Sequence, residues 1–282
     1  MPNPIDLHGA SVAVTGAARG IGYATARAFI AAGATVFIGD LDGDLAKTAA
    51  DELGCTGVGV DVRSRESLAE FLAGIEPPLR VLVNNAGIMP AGRFVDEQDA
   101  VTDAIIDVNL NGVLRATKLV LPGMLARGTG HIVNVASYLG EIPAAGLATY
   151  CASKHAVIGF SEALRDELDG TGVTVTTVLP SAVRTDLVSG VKLGGMLPTV
   201  DPEDIADAIV ATCSTRTAVV AVPGWMRSYE AVAALVPDNI VGAIRGRLTR
   251  QRVLRTLDTG ARARYDERIR RDAAATPESA AT

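Results

Sequence analysis

The 282-residue chain is poor in cysteine, histidine and aromatic side chains, and each shortage excludes a class of protein. Its three cysteines, Cys55, Cys151 and Cys213, are scattered, so they make neither a disulfide framework nor a metal-ligand spacing. His8, His131 and His155 are equally dispersed, and no metal site is expected from them. Aromatic residues make up only 4% of the chain and the net charge is -6, which argues against a nucleic-acid surface built from basic stripes and stacking rings. No run of eighteen apolar residues occurs, and the segment from Met1 to Asp6 lacks the basic-then-apolar layout of a secretory signal. These shortages lead us to expect a soluble, cytoplasmic protein.

Apolar residues are abundant at 48%, enough for one large core, and glycine is high at 29 residues. Short Val/Ile-rich runs alternate with longer Ala/Leu-rich segments of helical period, the pattern of a parallel sheet flanked by helices. Strands are predicted at 11–15, 35–39, 56–60, 80–83, 131–135, 173–179 and 217–222. Helices are predicted at about 20–32, 44–53, 64–74, 99–126, 148–169 and 202–213. The fold class expected is therefore α/β, a single doubly wound, Rossmann-like parallel sheet of about seven strands over residues 1–224. A helical C-terminal extension is expected over 225–272, with a disordered tail at 273–282. Composition changes near residue 240, because residues 241–282 hold ten arginines and five acids, a balance of +5 against -11 for the rest. Opposite charge favours docking of this segment on its own body or on a neighbouring subunit, and a membrane-surface role is the alternative.

After the first strand comes Thr15-Gly16-Ala17-Ala18-Arg19-Gly20-Ile21-Gly22, leading into an Ala-rich helix. Glycines let such a turn approach a diphosphate closely, and the helix N-terminus offers free N–H groups and a positive dipole end. Asp40 ends the second strand, where a carboxylate accepts bonds from adenosine ribose hydroxyls and repels a 2'-phosphate. That favours NAD over NADP, whereas Arg19 is a countersignal because its guanidinium could pair with such a phosphate. Tyr150 and Lys154 are i, i+4 on a predicted helix and so share a face. An ammonium ~4.5 Å from a phenolate at an effective dielectric of ~20 is worth roughly 3.5 kcal/mol, or two to three pKa units. Ser137 follows the fifth strand, at the sheet end where open α/β proteins bind ligands.

These motifs together resemble the short-chain dehydrogenase/reductase family over about residues 7–222. The matches run in order: the Gly16/Gly20/Gly22 turn, Asp61, Asn84 to Gly87, Asn109, Ser137, Tyr150-Cys-Ala-Ser-Lys154, and Pro180 to Thr185. Ser181 departs from the pattern, since members often carry glycine there. The resemblance implies that Asp61 holds the adenine amino group, that the segment from Asn84 through Asn85 and Ala86 to Gly87 lines the adenosine ribose, and that Thr185 holds the nicotinamide carboxamide, with Val62, Pro180 and Val183 also binding the cofactor. It also implies catalysis by Ser137, Tyr150 and Lys154, with Asn109 completing a proton relay. The activity expected is interconversion of a secondary alcohol and a ketone by a homodimer or homotetramer. The stretch from Thr185 to Thr199 mixes apolar side chains with glycines like a closing lid, and it points to an apolar substrate with no arginine cluster awaiting a carboxylate. Two alternatives stay open: a dinucleotide-binding regulator without turnover, and an epimerase or dehydratase that uses bound NAD.

Overall fold

A computed structural model describes residues 3–191, 197–227 and 252–274. Valine-rich strands pair in parallel because each is followed by a helix that carries the chain back across the sheet. The elements run β1 (Ser11–Thr15), α1 (Gly20–Ala31), β2 (Thr35–Asp40), α2 (Gly43–Leu53), β3 (Thr56–Gly59), α3 (Arg65–Ala73) and β4 (Val81–Asn84). Next come α4 (Asp99–Ile106), α5 (Gly112–Ala126), β5 (Gly130–Val135), α6 (Ala148–Glu167) and β6 (Val173–Pro180). The short pair β7 (Ala182–Val183) and β8 (Thr199–Val200), α7 (Pro202–Thr215), β9 (Val219–Val222), α8 (Arg252–Thr256) and α9 (Thr259–Ala274) complete the described chain. The seven-stranded sheet has the order β3-β2-β1-β4-β5-β6-β9, and every pair in it is parallel. The order in which strands are added reverses between β1 and β4, so a crevice opens above their carboxyl ends.

Both faces of the sheet are covered, which is why the strands read as apolar runs rather than alternations. Val12, Val14, Val81 and Val83 join Phe29, Ile205 and Ile209 in the layer under α1 and α7. Ala13, Leu82 and Ile132, one residue out of phase, pack on the other side with Leu68, Phe71, Val120 and Met124. Helix ends carry conventional signals: Asp42 caps α2 by accepting from Leu45 N at 3.1 Å, and Asp201 and Asp204 form a reciprocal capping box on α7. Helix α1 has no side-chain cap.

The predicted helix over 99–126 is interrupted. Residues Asp107–Asn111 form a π turn between α4 and α5. The apolar spacing runs through this point without a break, so only the tertiary partner reveals it: Asn109 leaves the helix surface to bond the backbone of Ile88. Of the C-terminal extension, Ile240, Val241, Ile244 and Leu248 lie outside the described residues, as does the tail beyond Ala274. Val253 is buried against the body, and Ile269 packs with Val101 and Ile105 of α4. Among the described residues no helix is long and apolar enough to cross a membrane.

One polar group inside this core titrates far from its usual range. His131 on β5 is fully buried, with Nδ1 2.8 Å from Thr174 Oγ1 and Nε2 2.9 Å from Thr212 Oγ1. Burial, with the nearby Arg216 charge, pushes its pKa down to about 3. Below about pH 6.5 the unfolded chain takes up a proton that the folded chain refuses, so stability falls as pH drops from there toward 3. His131→Asn should cost about 1–3 kcal/mol at pH 7.5 through lost hydrogen bonding, yet show a shallower loss of stability between pH 6 and 4. Urea unfolding at a series of pH values checks this, and equal slopes for the two proteins would refute it.

Candidate active site

A cavity of about 580 Å³ lies at the carboxyl ends of the strands. Its floor is the β1–α1 turn. Gly16 has a left-handed φ of 63°, and a Cβ there would stand 2.7 Å from Ala86 Cα. A Cβ on Gly22 would stand 2.3 Å from Gly16 O. Glycine at these two positions lets the turn and the β4 end close on each other. Because no side chain caps α1, the first-turn amides of that helix are left for a ligand, at its positive dipole end. Asp40 is held in place by Ala18 N at 3.1 Å and Asp42 N at 3.2 Å. An uncapped helix start beside a Cβ-free cradle, with a fixed carboxylate at the end of β2, fits a dinucleotide.

Above the other end of the cavity stand Ser137, Tyr150 and Lys154. Ser137 follows β5 and its Oγ accepts from Leu139 N at 3.1 Å, capping a short turn. Tyr150 and Lys154 sit in the first two turns of α6, 6% and 5% exposed, with Nζ 5.9 Å from the ring centroid. Lys154 Nζ donates to Val135 O at 2.8 Å. Burial pushes the Tyr150 phenol well above its usual range, with Ser137 pulling the other way, and burial brings Lys154 down to about 8. The expected lowering of Tyr150 by Lys154 is not among the influences on the phenol; desolvation dominates both groups and disfavours the charged form of each.

Every residue of the sequence-based site lines this cavity except Gly22 and Asn109, which sit behind its wall. Asn109 Oδ1 accepts from Ile88 N at 2.8 Å, while its Nδ2 donates to Ile88 O at 2.9 Å and to Ser153 Oγ at 3.1 Å. Asp61, expected at the adenine, is clasped by Arg63, whose Nε and Nη2 reach its carboxylate at 3.0 Å and 2.8 Å. Of the apolar lid, Leu187 and Leu197 line the cavity, and Leu193 and Met196 lie outside the described residues.

Sequence reasoning expected the C-terminal segment to dock but did not place it at the cavity. Helix α9 crosses the cavity's open side, anchored by the fully buried Arg262, which donates to the carbonyls of Ser189 (2.9 Å), Leu187 (3.2 Å) and Met89. Asp266 on the next turn pairs with it at 3.2 Å. Tyr265 Oη accepts from Met89 N at 2.8 Å, and the Asp272 carbonyl receives Arg63 Nη1 at 2.8 Å. The only trace in the sequence is Arg262, Tyr265 and Ile269 recurring at intervals of three and four in an arginine-rich stretch, too sparse an apolar stripe to assign a partner.

The parallel sheet and the ordered motifs at its strand ends define the class: a short-chain dehydrogenase fold. Residues 10–193 match the family model described as short chain dehydrogenase, and the chain belongs to that family. It is 33% identical over 266 residues to "Probable oxidoreductase EphD" of Mycobacterium tuberculosis, covering 84% of this chain but 45% of that protein, so it spans about half the length of that relative. It is 35% identical over 231 residues to "3-oxoacyl-[acyl-carrier-protein] reductase FabG" of Vibrio harveyi, covering 77% of this chain and 94% of that one. A solved "short chain dehydrogenase/reductase family protein" superposes with a TM-score of 0.72 at 30% identity, over 77% of this chain and 97% of that one.

The buried Lys154 ammonium generates a stability prediction. Its folded pKa of about 8 lies below the ordinary 10.5, so the charged form costs stability at neutral pH, and that cost fades as pH rises from 8 to 10.5. Lys154→Met should be up to ~3 kcal/mol more stable at pH 6.5, read as a raised thermal midpoint, and lose its advantage by about pH 10.5. Scanning calorimetry across that range tests it, and a midpoint below the parent's at pH 6.5 would contradict it.

Proposed function

We propose that this protein is an NAD(H)-linked oxidoreductase that interconverts a secondary alcohol and a ketone. The observation that carries the reading is that Ser137, Tyr150 and Lys154 face one cavity continuous with the uncapped start of α1. When bound, the nicotinamide supplies or accepts the hydride. Ser137 Oγ donates a hydrogen bond to the substrate oxygen and stabilises the charge that develops there. Tyr150 Oη takes the alcohol proton during oxidation and returns it during reduction. Since burial holds the phenol high, positive charge beside the ring has to bring it into working range. Lys154 Nζ, 5.9 Å from the ring centroid, is the resident source of that charge. Asn109 fixes the Ile88 backbone and Ser153, and Ser153 Oγ donates to the Tyr150 carbonyl at 2.7 Å. Its side chain thereby positions both the β4 end and the catalytic helix.

Support for NAD over NADP comes from the adenosine end. Arg19, the one residue that favoured a 2'-phosphate, has its Nη2 3.9 Å from the Asp42 carboxylate, and the Asp40 carboxylate at the end of β2 is held by Ala18 N, where it would repel such a phosphate. The ketoacyl-reductase name of the Vibrio harveyi relative supports a carbonyl as the reacting group. Leu139, Leu187, Val188 and Leu197 give the substrate end an apolar lining.

Tyr150→Phe should lower turnover by at least ~100-fold while leaving the NADH dissociation constant within about threefold, because only the acid-base hydroxyl is removed. Turnover within tenfold of the parent would sink the mechanism. NAD should exceed NADP by at least about tenfold in kcat/KM, and Asp40→Ala should narrow the gap by removing the repulsion. Steady-state rates at 340 nm with both cofactors decide it, and a parent that prefers NADP overturns the assignment.

A further inference from the structure

Five arginines line the cavity, and four of them have a carboxylate partner. Arg63 pairs with Asp61 at 2.8 Å, Arg19 with Asp42 at 3.9 Å, Arg271 with Asp272 at 3.3 Å, and Arg184 with Asp201. Arg268, on α9, has none among the described residues. Its guanidinium carbon lies 5.3 Å from the centroid of the Tyr265 ring, and that ring is its one described partner. The remaining cation of the cavity, Lys154, spends a hydrogen bond on Val135 O.

Tyr265 provides an independent second observation. It is 8% exposed and lines the same cavity as Tyr150, and its oxygen accepts from Met89 N, yet no group of the described protein accepts its own proton. Arg262 lies 4.7 Å from the same ring, so two guanidinium groups draw on the phenol and strengthen it as a donor. Arg268 follows Tyr265 by three residues, about 4.5 Å along the helix axis, on the face that meets the cavity. A neutral donor and an uncompensated cation on one helix, in a cavity also lined by Ser137 and the apolar Leu139, Leu187 and Val188, make a receptor for a single negative charge carried on oxygen.

We propose that Tyr265 and Arg268 bind a carboxylate on the substrate, so that the substrate is a hydroxy or oxo acid with an apolar body. The reading of the lid alone expected no such receptor; the C-terminal helix supplies it. The proposal rests on the alcohol/ketone reading for its reacting end only, since the carboxylate contact is a binding event.

Octanoate and octanamide, equal in length and differing in charge, are titrated calorimetrically into the full chain with and without saturating NADH. Octanoate should bind at least ~10-fold tighter than octanamide in at least one of the two conditions. Arg268→Ala should erase that preference, Arg268→Lys should keep part of it, and Tyr265→Phe should weaken octanoate about three- to tenfold while the melting curve stays cooperative. Equal binding of the two probes overturns the proposal. So does an Arg268→Ala variant that weakens NADH as much as octanoate, because the charge would then serve the cofactor phosphates. Neither titration needs turnover, so failure of the Tyr150 prediction would remove the catalytic reading and leave the carboxylate site to be decided by its own data.

Discussion

The close approach of the β1–α1 turn to the end of β4 is the contact on which the rest of the site depends. Thr15 Oγ1 accepts from the amides of Asn85 and Ala86 at 3.1 Å and 3.2 Å, and Asn85 Nδ2 returns bonds to the carbonyls of Thr15 and Gly16 at 3.0 Å and 2.8 Å. A side chain at Gly16 or Gly22 would wedge these segments apart at the point where the strand order reverses. The seam aims the start of α1 into the crevice, and it places Gly87 close to Asn109 Oδ1 and Lys154 Nζ, so the β1–α1 turn and the Tyr150/Lys154 pair share one cavity.

Burial then sets the chemistry. Tyr150 and Lys154 are almost wholly out of solvent, and desolvation drives the phenol up and the ammonium down. A pair in this condition is responsive to charge brought into the cavity, because a low local dielectric magnifies any new neighbour. The cost of burying the ammonium falls on the stability of the folded protein at neutral pH.

Helix α9 makes this member more than the sheet and its crossovers. Its mean composition is polar, and it holds on through one fully buried arginine that satisfies three carbonyls and a carboxylate. Docking in cis of the described part of the arginine-rich segment agrees with the opposite charges of segment and body. It leaves Val253, Tyr265 and Ile269 buried rather than available to a lipid surface. Because the helix spans from Ser189 to Arg63, it touches both ends of the cavity.

Strand runs, the glycine turn, Asp40 and the Tyr150/Lys154 spacing were legible because each is a local rule: a short Val/Ile-rich run, glycine where a turn must be tight, an acid at a strand end, a helical i, i+4 interval. The amino-acid sequence by itself therefore determined the parallel sheet, its helical cover and the residues gathered at the carboxyl ends of the strands. Only the tertiary structure decided that Asn109 breaks the long helix to hold Ile88, that Asp61 is already claimed by Arg63, and that Arg268 faces the cavity without a carboxylate. Each of these depends on partners distant along the chain, with 176 positions separating Met89 from Tyr265. Contacts of that kind leave no periodic trace, since what fixes them is which surfaces meet once the sheet has closed its own core.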